Sequence, residues 1–254
     1  ALNGVLWSWS IFEQRVKQQL DNSAECQRDL AKCADFGSAV IFAILVGGGP
    51  LFGPSVGPRL GKLGPCYFAR IATAMVVIGF LVGALALYVR SKWLLLFGFA
   101  IPCGIGAGIG FITTVLTLVL WYSDPLLGNK PGKGSGFQGA FQGGTAIVFS
   151  QVQFWMLYST TGSETSGEFS VPSKLSASSV FCALACIVFV LALPSCIQLD
   201  LPPSAGPKKP KSLLKPWDII RTSSFQMFFV SLIMGEIPGW AIQSFIAPLL
   251  VDSL

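Results

Sequence analysis

Between Trp93 and Trp121 the chain reads WLLLFGFAIPCGIGAGIGFITTVLTLVLW, 29 residues without a charged side chain. A helix needs roughly 20 mostly apolar residues to cross a hydrocarbon core of about 30 Å, so this stretch is long enough for one crossing. Four others resemble it, running approximately from Phe36 to Val56, Tyr67 to Tyr88, Gly136 to Leu157 and Leu175 to Cys196. A further stretch, Phe225 to Val251, is interrupted by one acid, Glu236. Ala1 to Phe12 is about half a span. It lacks an initiator Met and a basic region ahead of an apolar core, so it reads as the end of a truncated first helix rather than a signal peptide.

Seven spans, the first truncated, are therefore expected. Backbone groups in lipid must be satisfied within their own segment, which makes these spans helices. Strands of a membrane barrel alternate apolar and polar residues over about 10 positions, and these runs are continuously apolar. The composition agrees: 11% of the 254 residues are charged and 52% hydrophobic, against about 25% charged in a soluble domain, and the mean hydropathy is +0.66. The absence of histidine excludes His-based metal sites, a Ser-His-Asp triad and an imidazole proton shuttle.

Loop charges set orientation. With the first helix leaving outward, ten of the 17 basic residues fall inside and seven outside. The inner set includes the basic, Pro-rich stretch Pro207 to Lys215 (PKKPKSLLK), which suits a linker beside anionic lipid. Three regions follow: a six-helix bundle over 1–197, a cytoplasmic basic linker over 198–224, and the first helix of a second bundle over 225–254.

Small residues four apart let helices approach closely in lipid. They occur at Gly49/Gly53, Gly79/Gly83, Gly104/Gly108, Gly106/Gly110 and Gly139/Gly143. The glycines from Gly104 to Gly110 do not form a dinucleotide fingerprint, since the third is misplaced and no strand precedes them. Gly128 to Ser135 (GNKPGKGS) is one residue short of a phosphate loop. Neither nucleotide nor nucleic acid is expected as a partner.

Cys26 and Cys33 flank a short polar segment of the proposed outer loop. A disulfide and two free thiols are both open readings there. The other five cysteines lie in or at the ends of spans and read as small packing residues. Glu236 is the strongest local signal. A carboxylate within a span costs about 2.5–3.5 kcal/mol or more and usually faces a cavity or partner. The sequence Gly235-Glu-Ile-Pro-Gly239 around it should kink the helix. Glu236, with Trp240 and Gln243 after it, is therefore a candidate for the translocation path. Gln138 and Gln142 share a face of the fifth span, and Thr113 and Thr114 belong to the fourth. They join the candidate path, with hydrogen bonding between helices as the rival reading. Trp93 and Trp121 read as interface anchors.

Six spans, a basic linker and a seventh span together resemble the major facilitator superfamily. Gly57-Pro-Arg-Leu-Gly-Lys-Leu-Gly-Pro65 resembles its cytoplasmic loop motif, in which Gly, three residues, Asp, Arg, one residue and Gly follow in order. Gly57 and Gly64 match and Lys62 takes the Arg place, with Arg59 beside them, whereas Gly61 stands where the family has Asp. Leu6 to Phe12 (LWSWSIF), Lys133 to Ala146 (KGSGFQGAFQGGTA) and Ser223 to Phe229 (SSFQMFF) are similar to helices one, five and seven of oxalate/formate antiporter-like and monocarboxylate-like members. The second of these stretches also resembles plant nodulin-like members. The resemblance implies two six-helix bundles rocking about a central site by alternating access.

The expected fold is accordingly all-α: a polytopic membrane helix bundle, the N-terminal six-helix half of a major facilitator plus its seventh helix. The expected function is secondary active transport of a small polar solute, with monocarboxylates and amino acids as candidate classes and a proton as candidate coupling ion. The alternative is a non-transporting subunit or half-transporter within a larger assembly. No enzyme activity, cofactor or metal is expected. The expected partners are the solute, the lipid bilayer, and a missing C-terminal half or a partner chain. The location is an integral, multi-pass one in a membrane that the residues do not identify.

Overall fold

The computed structural model describes residues 9–21, 37–123, 131–157 and 175–201. The chain divides into two compact units, Ala1–Gly206 and Pro207–Leu254, and every described residue belongs to the first. Among the described residues there are six helices and no strand: α1 (Trp9–Leu20), α2 (Ser38–Leu63), α3 (Pro65–Val89), α4 (Lys92–Tyr122), α5 (Pro131–Leu157) and α6 (Ala177–Gln198). Three of them, α3, α4 and α6, are long and apolar enough to cross a membrane.

α2 and α5 have the length, at 26 and 27 residues, but are less apolar. α2 ends in Arg59 and Lys62, and α5 intersperses glutamines and glycines among its aromatics. Of the five full spans expected from sequence, three are long and apolar enough among the described residues, and Ser38–Gly47 of α2 is a shorter apolar stretch.

Helix ends follow local chemistry. α2 stops at Gly64, whose φ of 78° is a backbone conformation that glycine adopts without penalty. Pro65 then starts α3 at the position where its missing N–H costs nothing. The turn between α3 and α4 is tight: Arg90 takes the left-handed conformation (φ 57°) and Ser91 caps α4 by accepting from the Leu94 N–H at 3.3 Å. Ser176 caps α6 in the same way, accepting from the Ser179 N–H at 3.2 Å. Within α4, Leu95–Ala100 is a π-helical turn just ahead of Pro102. A proline there removes a helix donor and crowds the preceding turn, which the wider π turn accommodates.

Two boundaries correct the sequence reading. The first helix does not end at Phe12 but runs on to Leu20. Trp9, Phe12 and Val16 bury one face, while Glu13 and Lys17 pair at 2.9 Å on a wetter one. The i, i+4 pair and the helical spacing of the buried residues continue the helix beyond the apolar stretch. The motif at Gly57–Gly64 is likewise not a loop. Gly57, Arg59, Gly61 and Lys62 lie in the last turns of α2, and Gly64 alone separates α2 from α3.

α4 contacts α2, α3 and α5, α3 also lies on α6, and α1 covers parts of α3, α5 and α6. Four helices meet in an aromatic cluster. Phe80, Phe99 and Phe181 sit with ring centroids 4.9–5.5 Å apart, Trp9 stacks on Phe99 at 5.7 Å, and Phe12 meets Phe181 edge-on at 5.2 Å. Such pairs contribute about 0.5–1.5 kcal/mol each beyond their buried area.

Glycine sets how closely the backbones approach. A Cβ on Gly106 would lie 2.8 Å from the Ala72 carbonyl oxygen, and one on Gly104 would strike the Ile44 carbonyl. Side chains at Gly79 and Gly83 would meet Cys103 and Phe181. At Gly139 and Gly143, by contrast, an added Cβ would find no atom within 4 Å, so this pair joins no helices within the described bundle.

Candidate functional site

The polar residues assigned to a path divide between α4 and α5. Thr113 is 1% exposed, and its hydroxyl donates to the Ile109 carbonyl of its own helix at 2.7 Å. Thr114 donates to Gly110 O at 2.8 Å, and Thr117, which sequence reasoning passed over, donates to Thr113 O at 2.7 Å. These hydroxyl protons are used within the helix, which lets threonine sit in an apolar helix without an outside partner.

Gln138 and Gln142 are half-buried on α5. α4 and α5 run in opposite directions with Gly134 against the Leu118 carbonyl. Stepping one helical turn along each helix from that contact puts Gln138 at the level of Thr114. A second turn puts Gln142 at the level of Gly110. No hydrogen bond joins these threonines to these glutamines among the described residues. The two pairs therefore share a depth rather than a bonded network.

Gln153 is the polar side chain of α5 that the bundle buries fully, at 0% exposure. Its position in the sequence, between Val152 and Phe154, gives it no mark that Gln151 lacks. Arg59 and Lys62 are exposed near the end of α2. Gly61 is also exposed, with no atom within 4 Å of where a side chain would begin. A carboxylate at that position would meet no steric obstacle. Glu236, Trp240, Gln243, Cys26 and Cys33 lie outside the described residues.

Two side-chain constellations were not legible beforehand. Ser38, at the start of α2, donates to Glu13 Oε1 at 2.7 Å, and Glu13 also pairs with Lys17. That ties α1 to α2 across 25 positions of sequence. At the opposite end of the helices, Arg70, Cys66 and Trp121 donate to carbonyls at the end of α6. Charge at a span end marks Arg70 and aromatic character marks Trp121, but nothing in their spacing identifies the partner.

Two surface grooves accompany these positions. One of about 520 Å³ runs between α2 and α4 over Ala39, Val40, Ala43, Ile44, Phe52 and Ile105. The other, about 350 Å³, lies between α3 and α6, where Leu81, Leu85 and Tyr88 face Ser178 and Ser179. The first offers aliphatic surface and no side chain that could orient a polar solute. Among the described residues no group of three or more His, Cys, Asp or Glu could hold a metal ion. No protein-family model matches the chain, and no curated protein matches it either.

Proposed function

We propose that this chain is the N-terminal part of a multi-pass membrane transporter of the major facilitator type. It moves a small polar solute down or against a gradient by alternating access, with no nucleotide involved. The observation that carries this reading is the six-helix arrangement of the described residues. It holds three span-competent helices, glycine-mediated contacts of α4 with both α2 and α3, and polar positions of α4 and α5 at a common depth. Closely packed helices with a few internally satisfied polar groups suit rigid-body movement in lipid.

The roles divide accordingly. Gln138 and Gln142 are the described residues best placed to meet solute, being half-buried and not bonded to Thr113 or Thr114. Thr113 supports the helix instead. Glu236 is the protonating or pairing group, because a carboxylate within an apolar span needs such a task. Arg59 and Lys62 sit at the inner membrane surface beside lipid phosphate. A monocarboxylate or an amino acid is the solute class, and the rest of the site lies in a C-terminal half or a partner chain.

The test is uptake by vesicles holding the full-length protein, without ATP, against a panel of radiolabelled small carboxylates and amino acids. Accumulation that rises with an imposed proton gradient and collapses with a protonophore supports the proposal. Failure of every panel member, with protein inserted and folded, rejects it for these solute classes.

A further inference from the structure

The last carbonyls of a helix have no partner further along their own helix. One turn before the end of α6, Pro194 supplies no N–H to its own helix. Donors arrive from two other helices. Arg70 Nε donates to Cys196 O at 3.0 Å and the Cys66 thiol to Leu199 O at 2.8 Å, both from the first turns of α3. Trp121, at the end of α4, donates its indole N–H to Asp200 O at 2.9 Å. Thr73 and the buried thiol of Cys196 approach to 3.5 Å. The Cys66 sulfur also lies 3.9 Å from Ser195 O, so the accepting carbonyls fall within six consecutive residues, held crosswise over the ends of α3 and α4.

We infer that Cys196–Asp200 is a latch, a short strap whose three bonds open and close as a unit and fix where the chain leaves α6. Two features lead there. Arg70 and Trp121 are exposed and Cys66 is half-buried, so water can replace each donor and the strap is releasable rather than locked in the core. The accepting residues are also so close in sequence that freeing one carbonyl moves the next. Leu199 and Asp200 are adjacent, and Cys196 is three residues before Leu199. The basic stretch Pro207 to Lys215 begins seven residues after Asp200. The latch holds the last described residues after α6. It stands or falls independently of transport.

Cys66 is its own reporter. The rate of alkylation at Cys66 is measured by peptide mass spectrometry on the full-length protein in detergent micelles. Cys103, which is buried at the α3–α4 contact away from the strap, serves as the fold reference. Trp121→Phe keeps an aromatic ring and removes only the N–H, and Arg70→Gln removes the guanidinium. Each single variant should raise Cys66 alkylation about threefold or more, as expected for losing one hydrogen bond coupled to the others, while Cys103 stays protected. If Cys66 keeps its wild-type rate in Trp121→Phe, the bonds are independent and the latch is overturned. Should Arg70→Gln expose Cys103 as well, it has unfolded, and Trp121→Phe alone decides the matter.

Discussion

Replacing Gly106 with alanine should loosen α3 from α4, and the size of the effect can be worked from the contact. The new Cβ would lie 2.8 Å from the Ala72 carbonyl oxygen, 2.9 Å from Val76 Cγ2 and 3.0 Å from Met75 Cβ. The nearest of these atoms is backbone, so no rotamer change relieves it and the two helices must separate by roughly half an ångström. Overpacking of this kind costs about 1–3 kcal/mol. Alanine recovers about 0.5–1 kcal/mol because it is the better helix former, leaving a net loss centred on about 1 kcal/mol. Gly61→Ala is the matched control. It lies within α2, exposed, with no atom within 4 Å, and should gain about 0.5–1 kcal/mol from propensity alone. The assay is thermal unfolding in detergent micelles, followed by alkylation of buried Cys103. Opposite shifts for the two variants are expected. A Gly106→Ala protein as stable as wild type would refute the close approach of α3 and α4.

Three further outcomes follow from the same contacts. Phe181→Ala empties the centre of the aromatic cluster and should cost about 3–5 kcal/mol, read as a large fall in the midpoint of thermal unfolding. Thr113→Val should leave solute affinity within about twofold of wild type and cost under roughly 1 kcal/mol. The residue is 1% exposed and its hydroxyl is bonded to Ile109 O; a large loss of affinity measured by solute binding would return Thr113 to the path. Glu236→Gln should abolish the pH dependence of uptake in vesicles holding the full-length protein, and intact pH dependence would remove Glu236 from its proposed role.

Much of the helical organisation was legible because each apolar stretch is bounded by residues with strong local preferences. Gly64-Pro65 and Arg90-Ser91-Lys92 mark turns that the structure places at those positions. The glycines of α4 also announced close packing, and Gly104 and Gly106 provide it. The reading failed where helix continues past the apolar signal. α1 runs to Leu20 on charged residues because Glu13 and Lys17 stabilise one face while Phe12 and Val16 bury another. The motif at Gly57–Gly64 has the residues of a loop, yet neighbouring helical turns impose their own conformation on all but the last glycine. Site residues were less legible than spans. Polarity at membrane depth drew notice to Thr113 and Gln138 alike, but it cannot distinguish a hydroxyl bonded to its own helix from an amide at a half-open surface. That difference depends on rotamer and neighbours, as does the meeting of Ser38 with Glu13.

The alternating-access claim is tested most directly by Gln142→Cys in a background without the seven native cysteines. Full-length protein in sealed vesicles of known orientation is exposed to a membrane-impermeant maleimide from one side or the other, with the proton gradient imposed in each direction. The account predicts that the introduced thiol is reached from both sides, and that reversing the gradient raises one rate while lowering the other. Modification from one side only, whatever the gradient, would contradict it.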